Sequence, residues 1–321
     1  MDIHLLLSNL TNPTLLFFLL GVTASLLKSD LEIPASTSKF ISLYLLFSIG
    51  FKGGQELAHS PFTWEILFSL LFGLLIASLI PFYTFFILKR RLGIHNAGAI
   101  AAAYGSVSAV TFVAAASFLE AEQLHFGGHM VAVMALMEAP AIIIGVVLLR
   151  RYDNGSDAQK TSLGSLVRHS LTNSSVLMIL GSLIIGLIAD SKQAEGIKPF
   201  TTDIFKGFLA IFLLEMGMVT ASRFRAFRQY GWFVSLFALL IPALNGSIVA
   251  LCSIWITTDP GNRFIFAILA ASASYIAVPA AMRLAAPEAD PGLYVPMALG
   301  VTFPFNITLG MPLYMFLIEL Q

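Results

Sequence analysis

Apolar residues run along this chain in long blocks separated by short polar stretches. Ten blocks can be drawn, at about 13–29, 34–57, 63–88, 96–119, 127–149, 173–190, 200–221, 229–256, 263–285 and 292–319. Most approach or exceed the roughly 20 apolar residues that a helix needs to cross a bilayer. The pattern predicts an all-α polytopic membrane protein with ten spans. The longest polar stretch, RRYDNGSDAQKTSLGSLVRHS at 150–170, is too short for a domain and divides the blocks five and five. The expected units are therefore 1–150, a cytoplasmic linker at 151–172, and 173–321.

Composition agrees with the pattern. The 321 residues are 57% hydrophobic and 11% charged, whereas soluble domains average about 25% charged. That deficit excludes a soluble globular enzyme and a disordered chain. Lys+Arg and Asp+Glu balance at 18 each, with no basic face for nucleic acid. The single Cys252 rules out an intrachain disulfide. The opening MDIHLLLSNLTN lacks a basic region and a cleavage pattern, so the first block is expected to be an uncleaved span.

Loop charge then gives an orientation. With sides numbered alternately, one side collects Lys28, Lys39, Lys89, Arg90, Arg91, Arg150, Arg151, Lys160, Arg168, Arg223, Arg225, Arg228 and Arg283. The other holds Lys52, Lys192, Lys198, Lys206 and Arg263. The basic side is expected to be cytoplasmic, with both termini outside and the plasma membrane as the location.

The halves resemble each other at an offset near 166. YGSVSAV (104–110) falls on AASASYI (270–276), Gly50 in FSIGFKGG on Gly217 in LEMGMVTA, and Trp64 near Trp232. An odd number of spans per half requires the second copy to be inverted, and inverted repeats are a transporter signature with the site at the midplane. Chance similarity of small-residue helices is the competing reading. Several anchors at a single offset weigh against it.

Blocks four and nine differ from the rest. GAIAAAYGSVSAVTFVAAA and ILAASASYIAVPAAMR are rich in small residues and carry S-x-S at their centres. Residues two apart do not share a helix face, but an unwound stretch lets both reach one point. Pro279 has no N–H and clashes with the carbonyl of Tyr275; Gly105 gives block four comparable freedom. A broken helix exposes the N-terminus of its second half, with free N–H groups and a positive dipole end. Two such ends aimed at one spot form an anion site built mainly from backbone. The candidate substrate residues are Gly105, Ser106, Ser108, Ser272, Ala273 and Ser274. The competing reading is close helix packing, which small residues also permit.

Glu138 in AVMALMEAPAIIIGV costs about 2.5–3.5 kcal/mol at membrane depth and needs a partner. Pro140 frees the carbonyl of Leu136. Carboxylate, carbonyl and hydroxyl oxygens suit a hard cation, so Ser108, Thr111, Glu138, Ser274 and Asn306 are the candidate sodium ligands. Pro304 and Asn306 occupy the matching place in the second half. A structural Glu, protonated or hydrogen-bonded, is the alternative. Glu215 in IFLLEMGM is a second intramembrane acid, expected to face block two near Lys52 and Glu56, and reads more as structural than as ligand. His95, His125, His129 and His169 have no metal-site spacing, so no transition metal is expected. No Walker A, Ser-His-Asp or haem motif is present, which leaves no ATPase, no enzyme and no cofactor.

FKGGQELA, YGSVSAVTFVAAASFLE, MEAPA, GFLAIFLLEMGM and AASASYIAVPAAMR, in this order and spacing, resemble the cyanobacterial sodium-dependent bicarbonate transporter family over nearly the whole chain. The resemblance implies ten spans in two inverted five-helix repeats, a core domain beside a gate domain, a homotrimer, and elevator-like movement. It places sodium and bicarbonate where two broken helices cross. The family's first break reads close to F-G-A-V-S-G-S-T: Gly105, Ser108 and Thr111 match, while Ala109 and Val110 replace Gly and Ser. Glu138 stands where the family has an Asp two residues before a Pro. The second break reads close to A-S-S-S-D-I-S-G-P: Ser272, Ser274 and Pro279 match, and Ala273, Tyr275, Ala277 and Val278 depart. The departures remove an Asp and two hydroxyls. A PII-like regulator on the cytoplasmic face is also implied, but the 150–170 linker is shorter than in the cyanobacterial members.

The expected function is sodium-coupled symport of bicarbonate or a similar small anion, with the lipid bilayer as surroundings. The rivals are a cation/proton antiporter, an organic-anion symporter, and a membrane receptor or structural protein.

Overall fold

A computed structural model of the chain describes residues 11–153, 162–227 and 230–321. The first ten residues, the linker stretch 154–161 with Lys160, and Arg228 of the basic tally lie outside them.

The described residues are helical, with no strand among them. In chain order the helices are α1 Pro13–Leu26, α2 Ala35–His59, α3 Trp64–Leu92, α4 Ile94–Gly105, α5 Ala109–Ala121, α6 His129–Tyr152, α7 Leu163–Leu171, α8 Ser174–Ile188, α9 Phe205–Phe227, α10 Trp232–Cys252, α11 Pro260–Ala271, α12 Ala277–Ala285 and α13 Pro291–Glu319. Local chemistry sets several starts. The Asn12 side chain accepts from Thr14 N with Pro13 in the first turn, and Asp259 accepts from Asn262 N with Pro260 behind it. Both use N-terminal positions where an N–H is orphaned in any case. Gly93, at φ +78°, makes the sharp turn from α3 into α4.

Six stretches are long and apolar enough to cross a membrane: Trp64–Leu92, Ile94–Ala121, His129–Tyr152, Pro199–Arg223, Trp232–Trp255 and Pro291–Glu319. Pro13–Leu26 and Ser174–Ile188 are shorter apolar helices. Two of the ten blocks fall in neither group for plain reasons. Polar residues dilute α2, and the ninth block is cut into α11 and α12. The chain is thus a multi-pass membrane protein.

The helices fall into two sets. In one, α1 packs on α9 and α2 on α8. These pairs meet backbone to backbone: a Cβ built on Gly54 would lie 2.1 Å from Leu183 O, and one on Gly217 would lie 2.1 Å from Phe18 O, so small residues permit the approach. In the other set α3 packs on α4 and α6, and α10 on α11 and α13. Its centre is α4, α5 and α11, which are buried almost all round, as helices without a polar face must be. The outer faces carry large apolar side chains such as Phe68, Leu71, Leu75, Leu79 and Phe82 on α3, suited to hydrocarbon.

Contacts gather the loops at two ends. At one, His95 Nε2 lies 3.0 Å from Glu288, Asp290 N donates to Asn96 Oδ1 at 2.8 Å, and the Tyr230 hydroxyl donates to Asp290 Oδ2 at 2.6 Å. At the other, Lys206 lies 3.2 Å from Glu120, and Gly127 N donates to Asn262 Oδ1 at 2.7 Å. Alternate numbering of the loops gives the same two groups.

The expected linker is not all loop. Residues Leu163–Leu171 form α7, with Ser165 N donating to Ser162 Oγ at its start and Leu166 buried. With Leu166 buried and Gly164, Ser165 and Arg168 exposed, this short helix depends on its packing against α6 and α12.

Candidate functional site

Both S-x-S segments are breaks. Helix α4 ends at Gly105 and α5 starts at Ala109; α11 ends at Ala271 and α12 starts at Ala277. Extended backbone at Ser106, at φ −83° and ψ 176°, and at Ser272, at φ −84° and ψ 167°, stops the first half-helices. Serine side chains start the second ones: Ser108 Oγ accepts from Thr111 N at 3.2 Å, and Ser274 Oγ accepts from Val278 N at 3.4 Å. Pro279 falls in the first turn of α12, where its missing N–H costs nothing.

The breaks cross and bond to each other. Ser108 N donates to Ser272 Oγ at 3.0 Å, and Ser274 N donates to Ala103 O at 2.8 Å. Ser272 Oγ donates onward to Leu269 O at 3.0 Å. These bonds tie the two breaks together and satisfy part of the unwound backbone within the protein. Gly105 serves a purpose other than flexibility. It is helical, and a Cβ there would lie 2.2 Å from Pro81 Cγ on α3 and 3.1 Å from Ala141 Cβ on α6.

One small cavity, of about 20 Å³, lies at the crossing. Ser108 and Ala109 at the start of α5, Ser274, Tyr275 and Ala277 around the start of α12, and Glu138 of α6 line it. Two half-helix N-termini thus meet a single carboxylate. Glu138 is 9% exposed and makes no hydrogen bond or ion pair among the described residues. The Tyr275 hydroxyl reaches Ser108 and the Met216 sulfur, the latter at 3.9 Å, so Tyr275 adds a hydroxyl and also fills space beside the second break.

Of the residues singled out in the sequence, Ser108, Ser274 and Glu138 share this cavity. Gly105, Ser106, Thr111, Ser272, Ala273 and Asn306 do not line it. Ser272 and the Thr111 backbone belong to the hydrogen-bonded frame. The Ser106 hydroxyl is buried with no partner. Asn306 Nδ2 donates to Ala271 O at 2.8 Å, and Tyr314 OH donates to its Oδ1 at 3.2 Å; it caps the end of α11. Glu215 does face α2, but at Ser38 and not at Lys52 and Glu56. Those two line a separate cavity of about 320 Å³ with Glu120 and His125. Val107, Met134 and Ile276 also line the crossing cavity, and the rest of its lining is Ser175, Val176 and Ile179 of α8. No motif marks these three, because a helix from the other set reaches the crossing only through tertiary packing.

Comparison with curated proteins returns no match. A family model for the Na+-dependent bicarbonate transporter superfamily matches residues 13–319, nearly the whole chain. Membrane helices, two crossing breaks and this match agree, and the chain belongs to the Na+-dependent bicarbonate transporter superfamily, as a membrane transporter.

Proposed function

We propose that the protein carries bicarbonate, or an anion of similar size, in symport with sodium. The observation that carries this reading is the meeting of two half-helix N-termini and the unpartnered Glu138 around one cavity. Free N–H groups and positive dipole ends at Ala109 and Ala277 hold the anion. Glu138, Ser108 and Ser274 hold the sodium ion, with Thr111 and Asn306 as further candidate ligands and Gly105, Ser106, Ser272 and Ala273 as backbone and framework of the anion site. Sodium also offsets the cost of bringing an anion beside a buried carboxylate. One sodium per bicarbonate is electroneutral; each extra sodium adds about 2.3 kcal/mol per 100 mV.

The architecture behind this reading is ten spans in two inverted repeats, 1–150 and 173–321. The pairings support it: α1 pairs with α9 as α8 pairs with α2, and α3 gathers α4 and α6 as α10 gathers α11 and α13. The set α1, α2, α8 and α9 acts as the gate domain, and the remaining spans as a core that slides past it in an elevator. The basic end faces the cytoplasm of a plasma membrane, and the protein works as a homotrimer without a cofactor. The PII-like regulator is not carried over.

The test is uptake of labelled bicarbonate into proteoliposomes with sodium and pH varied separately. Sodium-dependent uptake is expected; uptake unchanged when choline replaces sodium removes the coupling. A second reading has Glu138 carry a proton instead of binding sodium, because a lone carboxylate in a cavity is suited to either. Uptake driven by a pH gradient in choline would favour it.

A further inference from the structure

We propose that the cavity of about 320 Å³ is the outer vestibule of the transporter, where Lys52 captures a small anion on its way to the crossing. The inference rests on the anion-transport reading and the orientation given above. It begins with three cavities that lie in a row along α5. Ala109 lines both the crossing cavity and a gap of about 10 Å³. Val113 lines the gap, and Ala116 and Glu120 line the large cavity. Ala109, Val113, Ala116 and Glu120 follow in steps of four, three and four, so they share one face of the helix.

Across the seam, α2 repeats this spacing. Leu45 faces the gap, and Ile49, Lys52 and Glu56 face the large cavity. On α9, Phe212 faces the gap and Phe205 the large cavity. The row therefore follows the boundary between the two helix sets, from the crossing to the end where Lys206 meets Glu120. That end lies away from the basic loops. The gap is closed here, because Leu45, Val113 and Phe212 are buried and its volume holds at most about one water.

Charge is ordered along this route. Both α2 and α5 run outward from the crossing, so Glu56 stands about 6 Å further out than Lys52. Glu120 is the outermost lining residue of α5 and pairs with Lys206 at 3.2 Å. His125, from the loop after α5, is exposed at the same cavity. Lys52 is exposed and stands in no ion pair among the described residues. The last charge before the apolar gap is therefore a cation. Apolar walls from Ile49, Leu124, Phe126 and Phe205 focus its field and raise the local concentration of an anion. Glu56 and Glu120 nearer the mouth balance Lys52 and Lys206, so sodium is not repelled from the same entrance.

The experiment is thiol labelling of Ala116→Cys, made in Cys252→Ala protein, by two membrane-impermeant methanethiosulfonates applied to cells, one with a sulfonate and one with a trimethylammonium group. Labelling from outside is expected, faster with the anionic reagent. Ser117→Cys serves if Ala116→Cys protein does not reach the membrane. Lys52→Gln is expected to slow the anionic reagent by about tenfold without slowing the cationic one, and the difference should shrink at high salt. Lys52→Arg is expected to keep the original rates. In proteoliposomes Lys52→Gln is expected to raise the bicarbonate KM by about tenfold with the maximal rate retained. Absence of labelling, or labelling from the cytoplasmic side alone, overturns the vestibule. An unchanged ratio of the two reagent rates in Lys52→Gln, or an unchanged KM, overturns the capture by Lys52. Labelling needs no transport, so it decides the vestibule by itself; absence of wild-type bicarbonate uptake overturns the bicarbonate reading instead.

Discussion

The two breaks occupy corresponding places in the halves, yet the structure treats them differently. The end of α11 is tied down. Asn245 Nδ2 donates to Ala270 O at 3.3 Å, Asn306 Nδ2 to Ala271 O at 2.8 Å, and Ser272 Oγ to Leu269 O at 3.0 Å. The first break has no such amides. Where the second half has Asn306, the first has Glu138, without a partner. Thr84 follows Pro81 by three residues as Asn245 follows Pro242, and its buried hydroxyl has no partner either; nor does that of Ser106. An amide can donate to an orphan carbonyl, whereas a carboxylate cannot. The second half therefore spends Asn245, Asn306 and Ser272 on the fold, whereas Glu138 of the first stays unpartnered beside the crossing.

Exchanging the two polar residues breaks this contrast most severely. Glu138→Gln is expected to cut sodium-stimulated uptake by about ten- to hundredfold, the equivalent of one charged ligand at about 1.5–3 kcal/mol. Sodium titration of uptake checks it, and an unchanged response removes Glu138 from the site. Asn306→Asp leaves Ala271 O facing a carboxylate and is expected to lower stability by about 1–3 kcal/mol, read as a fall in Tm in detergent. Gly105→Ala sets a Cβ against Pro81 and is expected to cost about 1–3 kcal/mol through overpacking. Pro81→Ala in the same chain should relieve part of that loss; failure to do so would place the strain elsewhere.

Smaller effects sharpen the comparison within the serines. Ser272→Ala removes the acceptor for Ser108 N and is expected to cost about 1–2 kcal/mol. Ser106→Ala deletes a hydroxyl that has no partner and is expected to change Tm by almost nothing, or to raise it slightly. Equal losses in the two variants would mean that Ser106 has a ligand of its own.

Much of this was legible in the residues. The breaks at S-x-S, with Pro279 behind the second, follow from local chemistry, as do the membrane helices and the division of the loops between two ends. Burial of Glu138 is implied by its apolar neighbours, since a carboxylate in such a block has few places to go. Gly105 reads in the sequence as a point of backbone freedom, but the structure makes it a close-packing position. Its reason, the ring of Pro81, lies 24 positions away in the sequence. Asn306 reads as a candidate cation ligand, and only the structure adds the bond from its amide to Ala271 O; α7 hides in a polar stretch in which Leu166 turns inward.

The sequence by itself determined the class of molecule, its family, and the positions where helices cannot continue, because hydropathy, proline and small-residue runs act on the chain locally. Only the tertiary structure decided which candidates meet. Ser108, Glu138 and Ser274 converge on one cavity, Thr111, Ser272 and Asn306 lie outside its lining, and α8 supplies lining residues that nothing in its own sequence announces. The physical reason is that a buried polar group must choose among partners brought by other helices, and that choice depends on distances set by packing of the whole bundle.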